Sequence, residues 1–130
     1  MFKRAVKIDP LESGGWKGWG DVLLDMHHQK EAIRKFRKAV RANPLNLDAH
    51  VGWGRALKEL ARYGEAEAKF ADVVQKDSKF VAAYTNWAWL LREQHKSKDA
   101  KEKLRIAVDE ALGPAKARSY ATWGDILFSE

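Results

Sequence analysis

The chain has 130 residues, of which 45% are hydrophobic, 11% aromatic and 32% charged, with a formal net charge of +6. That is one domain's worth of chain with enough apolar content for a core, which sets aside a disordered tail. With no cysteine there is no disulfide framework, thiolate zinc site or cysteine nucleophile, and the short apolar runs and basic opening residues supply neither a membrane span nor an export signal, so a cytoplasmic setting is the default expectation.

One interval organises the rest. Trp19, Trp53 and Trp87 recur every 34 residues, as do Phe36, Phe70 and Leu104, Ala39, Val73 and Ala107, Ala32, Ala66 and Ala100, and Gly20, Gly54 and Ala88. A fixed period of this size marks a stack of one repeated supersecondary unit. In chain order, residues 1–10 form a half repeat, because Phe2, Ala5 and Pro10 stand one period before Phe36, Ala39 and Pro44. So short a helix is marginal alone and must be held by packing.

Residues 13–46 predict a first full repeat, with helices over 13–26 and 30–42 joined through His27, His28 and Gln29. Gly14, Gly15, Gly18 and Gly20 crowd the first helix. Each costs about 0.5 to 1 kcal/mol against Ala, which packing of Trp16 and Trp19 is expected to offset. Pro44 ends the second helix, since it disfavours helical geometry at Asn43.

The second repeat, 47–80, predicts helices over 47–60 and 63–76. Trp53, Ala56, Leu57 and Leu60 share one face of the first, and Ala66, Phe70, Val73 and Val74 one face of the second. The third, 81–114, has helices over about 80–94 and 97–112, with Ser97 as an N-cap. Gly113 and Pro114 suit a helix end and a new start. Residues 115–130 then place Trp123, Gly124 and Leu127 in a closing half repeat.

Within residues 13–46 the series Trp16, Trp19, Gly20, Leu23, Ala32, Phe36, Ala39 and Pro44 resembles the tetratricopeptide repeat, with Trp19 where that family prefers Leu and Leu23 where it prefers Tyr. The resemblance implies an all-α, right-handed solenoid of antiparallel helix pairs, three full repeats flanked by half repeats. It also implies a scaffold or adaptor that takes a peptide or a helix of a partner protein in a concave groove, with no catalysis and no cofactor. With the apolar positions of each first helix turned inward, another stripe is left for that groove. It carries Lys17, Asp21, Arg55, Asn86, Trp89, Arg118 and Asp125.

Leu24 and Val51 fall on the same stripe, Gly18 and Gly52 are expected to open its floor, and Trp89 is of a type enriched at binding hot spots. A subset of the family clamps the C-terminal carboxylate of chaperone tails with a set of Lys, Asn and Arg residues. Lys17 fits that set, but Asp21 and Gly52 stand where it requires Asn. A chaperone-tail clamp is therefore not expected, although Arg55, Asn86 and Arg118 suit a single acidic group.

The positive charge is concentrated. Lys30, Arg34, Lys35, Arg37, Lys38 and Arg41 face Glu31 alone on one predicted helix, a basic patch whose alternative partner is nucleic acid or another polyanion. Phe36 lies among them at a core position of the repeat, and stacking aromatics are not interleaved with these charges, which favours the peptide groove. His27 and His28 lie two repeats from His95, too far to share a metal across packed helices, and His50 takes the packing place of Trp16. No spacing assembles a nucleophile, base and orienting acid, so no enzyme is expected. Finally, Phe2 and Val6 at one end and Trp123, Ile126 and Leu127 at the other predict end-to-end self-association through complementary apolar stripes.

Overall fold

The structure, a computed structural model, describes residues 10–112. Six helices follow in order: α1 (Pro10–Asp25), α2 (Gln29–Ala42), α3 (Leu47–Glu59), α4 (Tyr63–Lys76), α5 (Val81–Glu93) and α6 (Ser97–Leu112). Among the described residues there is no strand, so the fold is all-α. The chain forms two compact units, Met1–Lys69 and Phe70–Glu130. The expected association stripes at Phe2 and Val6 and at Trp123, Ile126 and Leu127 lie outside the described residues, as does the closing half repeat.

In the first unit α1 packs on α2, α2 on α3, and α1 also touches α3. The ring of Phe36 is fully buried at this junction, beside buried Ala32, Ala39, Ala49 and Ala56. Two glycines make room for it. A Cβ at Gly20 would lie 2.7 Å from Cε1 of Phe36, and one at Gly52 would lie 2.5 Å from the same atom. A single aromatic ring thus sets the spacing of both α1 and α3 against α2, and removing it would cost about 3 to 5 kcal/mol. A polar chain fixes the same junction from the side. The buried hydroxyl of Ser13 donates to the carbonyl of Ala39 at 2.7 Å, and the amide of Asn46 donates to Ser13 Oγ at 2.8 Å. Asn46 Oδ1 also accepts from the backbone N–H of Ala49, capping α3.

In the second unit α5 packs on α6. Ala88, Leu91 and Ala100 are buried together, with Trp87 and Leu104 against them.

The turn closing α1, α3 and α5 is the same device three times. His27, Ala61 and His95 have φ of 64°, 62° and 62°, the left-handed conformation that ends helices. The following N–H groups of His28, Arg62 and Lys96 donate back to Leu23, Leu57 and Leu91 at 2.8, 2.9 and 2.8 Å. That places the backbones of His27 and His95 in a helix-capping role.

Helix bounds differ from expectation mainly at α1, which begins at Pro10 instead of Ser13. Proline is suited to the first helical turn, and Glu12 stands where Asn46 caps α3, so nothing stops the helix at residue 12. Ser97, expected as a cap, is the first residue of α6.

Candidate functional site

The residues expected to line a groove have diverse surroundings. Lys17 and Asp21, one helical turn apart on α1, form an ion pair at 2.7 Å. Gly18 between them is open, with nothing within 4 Å of where a Cβ would be. On α3, Arg55 is half-buried, and its guanidinium has no hydrogen-bond or ion-pair partner among the described residues. On α5, Asn86 donates its side-chain amide to the carbonyl of Ala82 at 2.8 Å. Trp89 is 44% exposed, with the Arg92 guanidinium 5.4 Å from its ring centroid. Arg118 and Asp125 lie outside the described residues.

Three expected groove positions are core instead. Leu24 and Val51 are buried, and Gly52 opens room for Phe36, not for a ligand. The cause is the approach of α1, α2 and α3 to one another, which turns the α3 backbone at Gly52 onto the α2 ring.

The tryptophans depart from expectation in the opposite sense. Trp19, taken from the sequence as a core residue, is 51% exposed, and Trp53 and Trp87 are half-buried. Trp19 stacks on Trp16 with ring centroids 5.5 Å apart and planes 7° from parallel, and Trp53 stacks on His50 at 6.5 Å and 11°. Each ring then carries a lysine from the next helix. The Nζ atoms of Lys35, Lys69 and Lys103 lie 3.9, 3.5 and 4.0 Å from the centroids of Trp19, Trp53 and Trp87. This is a favourable cation–π placement. The lysines themselves recur every 34 residues, so the pairing was present in the sequence as a further series in the same register.

The basic patch is therefore interleaved with aromatics in space, contrary to its appearance in the sequence. Lys30, Arg34, Arg37, Lys38 and Arg41 are exposed along α2, and Lys35 is half-buried over the indoles. Lys38 Nζ lies 4.6 Å from the Trp16 centroid, and Arg37 Cζ lies 5.6 Å from that of Trp53. Among the described residues none of these six cations pairs with a carboxylate. No three His, Cys, Asp or Glu residues come together to hold a metal among the described residues, and no helix there is long and apolar enough to cross a membrane.

A tetratricopeptide-repeat family model matches residues 17–79, which cover α1 from its second turn through α4. These residues are tetratricopeptide repeats. The fold agrees along more of the chain. The first tetratricopeptide domain of Spaghetti (RPAP3), bound to the HSP90 peptide SRMEEVD, superposes with a TM-score of 0.75 at 17% identity, covering 97% of this chain and 100% of that one. The TPR2AB domain of yeast Sti1 in its pHSP90 complex gives 0.78 at 21% identity, over 93% of this chain and 46% of that chain. YrrB, described as a TPR protein with an unusual peptide-binding site, gives 0.69 at 22% identity, over 85% and 57%. At these identities the likeness is one of fold. No curated protein matches the chain by sequence.

Proposed function

We propose that this tetratricopeptide-repeat chain is a protein-interaction scaffold that takes a peptide or helix of a partner, with Lys17, Asp21 and Arg55 as contact residues in the first unit and Asn86 and Trp89 as contact residues in the second. The observation that carries this reading is Arg55. Arg55 is half-buried as a residue, and its guanidinium, with five donors and no partner among the described residues, is suited to a bidentate carboxylate or a row of backbone carbonyls. Exposed Trp89 supplies an aromatic anchor of the kind that dominates binding energy. Two of the similar structures hold HSP90 peptides, which supports peptide recognition as the general mode. A chaperone-tail clamp is disfavoured here, because Asp21 neutralises Lys17 and Gly52 is buried under Phe36.

Selection from a random-peptide display library against the full chain tests the proposal. Selected peptides should carry an acidic group, and Arg55→Ala should weaken them by about 10-fold or more, as expected for a lost charge-assisted hydrogen bond. Helical content should be unchanged by circular dichroism. SRMEEVD should bind no better than its scrambled form. Peptides that bind Arg55→Ala and Trp89→Ala as tightly as the parent would place recognition elsewhere.

A further inference from the structure

The α2 face carries a cluster of cations on residues other than those of the groove. Lys30, Arg34, Arg37, Lys38 and Arg41 follow at spacings of four, three, one and three residues, which puts them on one helical stripe. The helix carries six cations and one carboxylate, Glu31. Like charges one turn apart destabilise a helix, so this concentration, without compensating carboxylates, is a local cost. Aromatic faces border the stripe on both sides. Trp16 and Trp19 of α1 lie beside Lys35 and Lys38, and Trp53 of α3 lies beside Arg37. At one end Trp16, Lys38, Arg41, Ala42 and Glu12 line a shallow, open depression of about 340 Å³.

From this juxtaposition we infer that α2 and its flanking indoles bind single-stranded nucleic acid, with phosphates on the arginines and lysines and bases on the tryptophan faces. The two components fit one ligand. An ammonium resting on an indole is already placed about one ring's thickness above the face where a base would stack. When it swings to a phosphate, the indole face it leaves is covered by the base. An acidic peptide would use the cations and leave the indoles idle. A lipid surface would need apolar side chains at the outermost points, and those on the stripe are all cationic.

From Lys30 to Arg41 the helix rises roughly 16 Å, the span of about five phosphates at about 3.4 Å along a strand. The expected slope of log affinity against log salt is then about −3.5 for a single strand.

The test is fluorescence anisotropy of the full chain with a labelled oligothymidylate of about 15 nucleotides, long enough for one such site, over roughly 50 to 200 mM salt. Binding should show that slope and quench tryptophan fluorescence. Arg34→Gln with Arg37→Gln and Arg41→Gln should flatten the slope by about 2. Trp16→Leu should keep the slope and lower affinity at least about 5-fold, the effect of one lost stack, with circular dichroism confirming the fold and Trp16→Phe restoring most of the binding. Arg55→Ala should leave oligonucleotide binding intact, which separates this site from the peptide groove. A salt-independent affinity, or a Trp16→Leu variant that binds as the parent does, would overturn the inference. So would capture by polyglutamate or by phosphatidylserine vesicles in the absence of oligonucleotide binding.

Discussion

The pair α1 and α2 and the pair α5 and α6 are built on one register, yet they answer it differently at two places. Inside, the first pair sets Phe36 against Gly20, and the second sets Leu104 against Ala88. A larger side chain faces no side chain, and a smaller one faces a methyl, so the volume at the joint is conserved while its division changes. Outside, α2 presents Arg34, Arg37 and Arg41, and the same three places on α6 are Glu102, Arg105 and Asp109. There Arg105 bridges both carboxylates, at 2.6 Å to Glu102 and 2.9 Å to Asp109. Interior positions change in compensating pairs because close-packed cores penalise both voids and overlap. Surface positions carry no such coupling and are free to specialise.

The largest effect should come from forcing one joint to use the other's division of volume. Gly20→Ala puts a methyl 2.7 Å from Cε1 of Phe36. It should cost about 1 to 3 kcal/mol from overpacking, reduced by up to about 1 kcal/mol of helix propensity. Adding Phe36→Leu recreates the pairing of Ala88 with Leu104. The double variant should be more stable than the sum of the single changes by about 0.5 kcal/mol or more, measured as a double-mutant cycle in urea. Additive losses would show that the two joints are packed on different principles. Gly18→Ala is the control, since it meets nothing within 4 Å and should gain from propensity alone.

A smaller effect follows from moving the α6 charge pattern onto α2. Arg34→Glu with Arg41→Asp leaves Arg37 between two carboxylates and removes several like-charge contacts. Each new helical pair contributes about 0.2 to 0.5 kcal/mol, so the melting temperature should rise slightly while oligonucleotide binding disappears. A variant that binds as before would separate affinity from the charge on this stripe.

The interval of 34 residues made the helix pairs legible, because the same burial requirement returns at each step and averages over local exceptions. Bounds of α4 and α6 follow directly from it. What the interval does not convey is how large a given slot is. Position for position, Gly18 and Gly52 are equivalent, yet one is open and the other holds Phe36. Trp19 occupies a core position of the pattern, but an indole exceeds a space that the family fills with Leu, and it lies on the surface under Lys35. The candidate site was legible as residue types and not as neighbours. Arg55 and Trp89 stand out in the sequence, whereas the contact of the α2 cations with indoles on α1 and α3 needs the helices to be packed. Only the spacing of Lys35, Lys69 and Lys103 hinted at it.

The smallest effect tests the closed ion pairs of α6 themselves. Hydrogen bonding from Arg105, opposed by slight desolvation and aided by the charges of Arg105 and Lys103, holds the Glu102 carboxyl below its ordinary value. The folded state therefore binds this proton less readily than the unfolded chain does. The resulting stabilisation is present above the unfolded pKa and is lost as pH falls through the depressed folded one. Because the pair is on the surface, salt should weaken it further. In carbon-detected NMR titrations of the full chain, Arg105→Gln should move the Glu102 midpoint upward, toward the unperturbed carboxylate. The difference in melting temperature between parent and variant should shrink as the solution is acidified through that window. α2, with Arg34 at the corresponding place, has no such carboxylate to titrate. A Glu102 midpoint indifferent to Arg105→Gln would show that the ion pair is not maintained in solution and that the contrast between the two outer faces is weaker than their geometry indicates.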